Sequence, residues 1–191
     1  MKFKIYITGI LFSLLLIACN KEFLDTSPYD GLSSSKIFEN DANAKLAVNG
    51  IYQAAAQTAF RDPFLNLTTN LGPDSYSYGR AASNALSMGL ATNRAAGILN
   101  LYTNLYKPIV YANDVIAGLD NNTNVTEDLR NQLIGEAKFF RGLCYFYLWN
   151  YFGDVVLIDK PTPVEETFLP RSPAAQVQAL VISDFKDAAD R

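Results

Sequence analysis

Residues 124–153, NVTEDLRNQLIGEAKFFRGLCYFYLWNYFG, limit the choice of fold more than any other stretch. Leu129, Leu133, Ala137, Phe140, Cys144, Tyr147, Leu148 and Tyr151 recur at the three- and four-residue spacing that lines up one helical face. Eight aromatic residues fall within positions 139–152. They cover more than one face, so this helix has to be buried on at least two sides. Asn124 and Glu127 are spaced as a capping pair ahead of it, and Gly153 is placed to end it. A helix that apolar needs neighbours.

The remaining chain supplies them. Asp41 predicts a helix start, followed by ANAKLAVNGIYQAAAQ. Its narrow apolar face is Ala47, Ile51, Ala54 and Ala55, small enough for a close neighbour. Lys45, Asn49 and Gln53 fall on the exposed side. From Ile98 a second stripe runs through Leu101, Tyr102, Leu105, Ile109, Ala112, Ile116 and Leu119, and stops at GLDNN. Pro108 inside that stripe predicts a kink or break near Tyr106 and Lys107. DVVLIDKPTP reads as extended, too short and isolated for a sheet of its own. A last helix is predicted from Ser172, with Pro173 at its first position and Val177, Leu180, Val181, Phe185 and Ala188 as its stripe. The fold class is therefore all-α, with helix pairs of repeat length that have a tetratricopeptide-like character although the repeat signature is absent. Between the first two helices lies a long irregular region, roughly 61–92, punctuated by Pro63, Gly72, Pro73 and Gly79. Loops of such length within a compact domain are usually functional or mobile.

The amino terminus has a different character. After Lys2 and Lys4, residues 5–18 carry no charge. That run is shorter than the ~20 residues of a bilayer-spanning helix and fits a secretory leader. Leu16, Ile17, Ala18 and Cys19 resemble the bacterial lipobox, which implies cleavage before Cys19 and lipid attachment to it. Several acyl chains anchor stably where one is marginal. The alternative is an ordinary leader with an incidental cysteine. Residues 1–18 are accordingly assigned to a signal peptide, 19–36 to a lipidated tether with Pro28, Gly31 and a serine triplet, and 37–191 to the helical domain. Phe23 and Leu24 are the apolar exceptions in the tether.

Charge and composition exclude several functions. The chain has a formal net charge of −3, and loss of Lys2 and Lys4 with the leader takes it to −5. An acidic chain without a basic run does not suit nucleic-acid binding. There is no histidine and only two cysteines, so the commonest general base and the usual metal-ligand sets are missing. No P-loop, G-x-G-x-x-G or G-x-S-x-G motif is present.

Five segments together resemble the SusD/RagB family of nutrient-binding outer-membrane lipoproteins of Bacteroidetes. They are ACNKEFLDTSPYDGLSSSKIF, AKLAVNGIYQA, LYKPIVYANDVI, LIGEAKFFRGLCYFYLWNYFGDVVLI and PRSPAAQVQALVISDFKDAAD, in the family's order. The resemblance implies a tetratricopeptide-like body that acts as a lipid-anchored lid on a SusC-like TonB-dependent transporter. It implies capture of oligosaccharides, starch or other glycans, or sometimes peptides, at the cell surface. It implies no catalysis, no cofactor and no metal. Family members are longer and the chain stops at Arg191 without a helix cap, so the expectation is the amino-terminal part of the family's domain.

Candidate sites follow, each beside its plainer explanation. Asp74, Tyr76, Tyr78 and Arg80 alternate along DSYSYGR. The two rings suit the CH-rich faces of sugars, while Asp and Arg suit vicinal hydroxyls; the plainer explanation is tyrosines packed on the body. Glu136, Arg141 and Asp154 are assigned to structure, the first two as bridges between helices and the last as a turn anchor. Trp149 and its aromatic neighbours are assigned to the core, and so is Cys144. Asp184 and Asp187 are placed on a polar helix face, without the cleft a glycosidase needs. The competing function is a tetratricopeptide-like scaffold lipoprotein that binds protein partners only.

Overall fold

The computed structural model describes residues 36–61, 96–163, 166 and 168–191. Within the body Ile37–Arg191 the described residues form α1 (Asp41–Ala54), α2 (Ala96–Leu119), α3 (Glu127–Phe152) and α4 (Ala174–Asp190). A single π-helical turn, Ala55–Ala59, continues α1. The only β-type pairing among them is one antiparallel bridge between Val155 and Ser172. The all-α class expected from the spacing is what the chain adopts.

Successive helices run antiparallel and share two apolar clusters. One joins Leu101, Leu105 and Ile109 of α2 to Cys144, Tyr145 and Leu148 of α3 and to Val177 and Val181 of α4. The other joins Ala44, Val48 and Ile51 of α1 to Ala112, Val115 and Leu119 of α2 and Leu133, Ile134 and Ala137 of α3. Helix α3 is thus buried along both α2 and α4, as its aromatic content requires. Each fully buried Leu or Ile contributes roughly 1.5–3 kcal/mol. Gly118 permits the entry into α1, because an added Cβ would fall within the ring of Phe38.

Three local expectations are corrected. Helix α2 runs unbroken through Pro108. Leu105 and Ile109, fully buried on either side of it, hold the helix in register, and that packing outweighs the missing amide hydrogen bond. The second correction concerns caps. Asn40, not Asp41, caps α1, its Oδ1 accepting from the Asn43 amide at 2.9 Å. Asp41 instead reaches the head of α3, where its carboxylate accepts from the amide and the hydroxyl of Thr126, each at 2.9 Å. Thr126 is the N-cap of α3, so the Asn124–Glu127 pair does not form. Asn122 accepts from the amides of Asn124 and Val125 in that turn. Finally, α4 begins at Ala174; Pro173 precedes it with ψ 141°, outside the helix. Gly153 ends α3 as expected, at φ 68°, with its amide on the Trp149 carbonyl.

Candidate functional site

Asp74, Tyr76, Tyr78 and Arg80 lie outside the described residues, and so does Cys19. The structure describes the frame on either side of that loop. The chain departs after Ala59 and Phe60 and returns into Ile98 and Leu101, and all four belong to one apolar cluster. Aromatic side chains gather at this end of the body. Phe60 meets Tyr147 with ring centroids 5.5 Å apart, and Tyr147 stacks on Tyr151 at 6.1 Å with planes 13° apart. Tyr102 meets Phe152 edge-on at 5.0 Å and Tyr106 at 5.1 Å. Such edge-to-face and offset pairs each contribute about 0.5–1.5 kcal/mol beyond burial. Trp149 is half-buried against the same cluster, which agrees with its assignment to the core. The described residues that flank positions 62–95 therefore pack on one aromatic layer.

A buried polar network fixes the helices behind that layer. Arg141 of α3 donates Nε and Nη2 to the two carboxylate oxygens of Asp184 on α4, each at 2.8 Å. Its Nη1 donates to Asn113 Oδ1 of α2 and to the Asp159 carbonyl, also at 2.8 Å. Arg141, Asp184 and Asn113 are all buried. The planar guanidinium fork suits this bidentate geometry, which a lysine could not reproduce. The placement of Asp184 on a polar helix face is corrected: the residue is 2 % exposed and turned inward. Packing decides this, since Gly142 lets α4 approach so closely that an added Cβ would lie 3.2 Å from the Asp184 Cβ. Asp187 does face outward, in an ion pair with Lys138 that draws its carboxyl below the usual range.

The same helices hold the extended segment after Gly153 by its backbone. Tyr106 Oη donates to the Val156 carbonyl at 2.7 Å. Tyr145 Oη accepts from the Ile158 amide at 2.7 Å and donates to its carbonyl at 3.0 Å. Asn113 Nδ2 donates to the Ile158 carbonyl at 2.9 Å. Burial raises the Tyr106 and Tyr145 hydroxyls above the usual phenol range, so both act here as neutral groups. Asp154 Oδ1 caps α4 through the Ala174 amide at 2.8 Å. Glu136 accepts from Tyr52 Oη of α1 at 3.0 Å. The structural roles assigned to Glu136, Arg141 and Asp154 are those the geometry shows. Asn113, Tyr106 and Tyr145 were not singled out, although a polar Asn113 within the apolar stripe of α2 was a readable signal.

Nothing described resembles a reaction centre. Cys144 is buried, and desolvation pushes its thiol up to about 12, far from a nucleophile. Among the described residues no group of three His, Cys, Asp or Glu side chains is placed to hold a metal ion. No described helix is long and apolar enough to cross a membrane.

With this frame in place, known proteins supply a match. Residues 22–190 fit the SusD-like family described as starch-binding and associating with the outer membrane. The chain belongs to the SusD-like family. A SusD-like protein of Formosa agariphila is 24 % identical over 192 residues, covering 94 % of this chain and 36 % of that protein. A SusD superfamily protein from Bacteroides vulgatus superposes with a TM-score of 0.73 at 19 % identity, over 80 % of this chain and 35 % of that one. A further crystal structure, solved with a xylogluco-oligosaccharide, superposes with a TM-score of 0.65 at 20 % identity, over 77 % and 29 % of the two chains. The SusD-like chain thus spans about a third of the length of the relatives it matches. At these identities the structural likeness shows the fold.

Proposed function

We propose that this SusD-like chain is part of a surface-exposed lipoprotein that captures oligosaccharides and hands them to a SusC-like TonB-dependent transporter. Cys19 carries the lipid in the outer membrane after removal of residues 1–18, and residues 19–36 tether the helical body of residues 37–191. Binding is non-enzymatic. The observation that carries this reading is the family match over residues 22–190, to a family described as starch-binding and outer-membrane associated. Two further points support it. A relative of the same fold was solved with a xylogluco-oligosaccharide. The described residues that flank the segment with Asp74, Tyr76, Tyr78 and Arg80 pack in one aromatic layer, and a packed frame reduces the ordering cost of a binding segment.

Affinity electrophoresis of the detergent-solubilised protein through gels with embedded starch or xyloglucan tests the capture. Retardation is expected on at least one glycan and is reduced in the Tyr76→Ala/Tyr78→Ala variant. Free migration on every glycan, with retained co-purification of a transporter, refutes it in favour of a scaffold that binds protein only. Membrane partitioning of Cys19→Ser tests the anchor: release is expected, and unchanged partitioning sinks the lipobox assignment.

A further inference from the structure

Away from the loop, α1 and α2 enclose a groove of about 600 Å³, within the ~300–1,000 Å³ of small-ligand sites. Its floor is Gly50. A glycine inside a helix costs stability relative to alanine. Packing gives no reason for it here, since an added Cβ at Gly50 would meet no atom within 4 Å. The vacancy faces the groove.

The walls carry unused hydrogen-bonding groups. Gln53 of α1, Gln57 of the π-helical turn that follows it, and Lys107, Tyr111 and Asp114 of α2 line the groove. Among the described residues none of these five side chains has a hydrogen-bond or ion-pair partner. Tyr111 is 46 % exposed and lies one turn from Lys107 and one turn from Asp114 on the same helix. At 1.5 Å per residue, the Cα atoms of Lys107 and Asp114 stand about 10 Å apart along the axis, with Tyr111 between them in sequence. Partial burial raises the Asp114 carboxyl above its ordinary range.

We infer that this groove is a second carbohydrate site, one that takes a neutral oligosaccharide. One sugar face stacks on Tyr111, and its hydroxyls are met by Lys107 and Asp114 on either side and by Gln53 and Gln57 across the groove. The two opposite charges leave the site without net charge, which disfavours an anionic or cationic ligand. Gly50 lets the sugar approach the helix backbone closely. The inference rests on the glycan-capture reading, but it uses a different surface from the loop.

Isothermal titration of the detergent-solubilised full chain with maltoheptaose and with a xylogluco-oligosaccharide tests it. Two sites are expected for one of these probes. Gly50→Leu, which fills an open space, should remove one of them. Tyr111→Ala should weaken that site by about tenfold, the equivalent of ~1.4 kcal/mol. Tyr76→Ala/Tyr78→Ala should leave the groove site intact. Loss of all binding in the loop variant, with Gly50→Leu and Tyr111→Ala unchanged, overturns the groove site while glycan capture by the loop stands. Binding that survives the loop variant and disappears in Gly50→Leu upholds the groove and removes the loop. Loss of transporter co-purification in Gly50→Leu, with glycan stoichiometry unchanged, makes the groove a protein contact and overturns the inference. No binding of either probe by the unaltered chain overturns both.

Discussion

Removal of Arg141 is the perturbation with the largest calculable consequence. In Arg141→Met the Asp184 carboxylate, 2 % exposed, loses both of its 2.8 Å partners. Asn113 Oδ1 and the Asp159 carbonyl each lose a donor as well. Stripping one partner from a buried ion pair costs about 3–5 kcal/mol. The two orphaned acceptors overlap with that figure and do not simply add to it, because all four groups share one network. Against the 5–15 kcal/mol typical of a folded domain this is a large fraction. With a urea m-value of ~2 kcal/mol/M the midpoint should fall by about 1.5–2.5 M, followed by circular dichroism at 222 nm. Arg141→Met/Asp184→Leu removes the stranded charge and should recover at least ~2 kcal/mol of the loss. Recovery stays incomplete, since each unsatisfied acceptor still costs about 1–3 kcal/mol. A single-variant loss below ~1 kcal/mol, or a double variant no more stable than the single, refutes the reasoning.

Three further outcomes can be measured. Gly153→Ala places a side chain at φ 68° where nothing crowds it, so its cost is conformational alone, roughly 1–3 kcal/mol or a fall in Tm of about 2–12 °C; an unchanged Tm contradicts this. In a Cys19→Ser background, Cys144 should resist an aromatic disulfide reagent at pH 8 until urea unfolds the chain, its thiol being buried and pushed up to about 12; rapid stoichiometric labelling of the native protein argues the opposite. The hydrogen bonds from Thr126 hold the Asp41 carboxyl below its ordinary range. Its contribution is therefore present above the unfolded pKa of about 3.9 and is lost as pH falls through the lower folded value. The stability gap between wild type and Asp41→Ala should be open at pH 6 and close below pH 3, and an equal gap at both pH values rules this out.

Much of the fold was legible because it is written in local spacing. The three- and four-residue steps located four helices, and Gly153 marked where α3 stops. The structural assignment of Glu136, Arg141 and Asp154 followed from polar side chains set among apolar neighbours, and each bridges two elements. Misreadings occurred where a distant partner decides a local outcome. Asp41 caps a helix that starts 86 residues later in the chain. Asp184 has the spacing of a surface residue and is buried because Gly142 draws α4 inward. Pro108 is tolerated because its neighbours on both sides are locked into the core. The stretch at positions 74–80 stands out in the sequence by residue type and by the length of the irregular region around it. It lies outside the described residues. The groove at Gly50 was not anticipated, since it arises from two helices whose facing positions are far apart in sequence.

The extended segment following Gly153 is held by Tyr106, Asn113, Arg141 and Tyr145 through its amides and carbonyls. Every chain offers those backbone atoms, whatever its side chains. The shape of the crossover is therefore encoded largely in the helices beside it, with Asp154, Val155 and Leu157 as its own side-chain anchors. Positions 156 and 159 should accept many substitutions without moving α4, while a change at any of the four helix positions should shift it. In this body the connector can drift in sequence while the route it takes stays fixed.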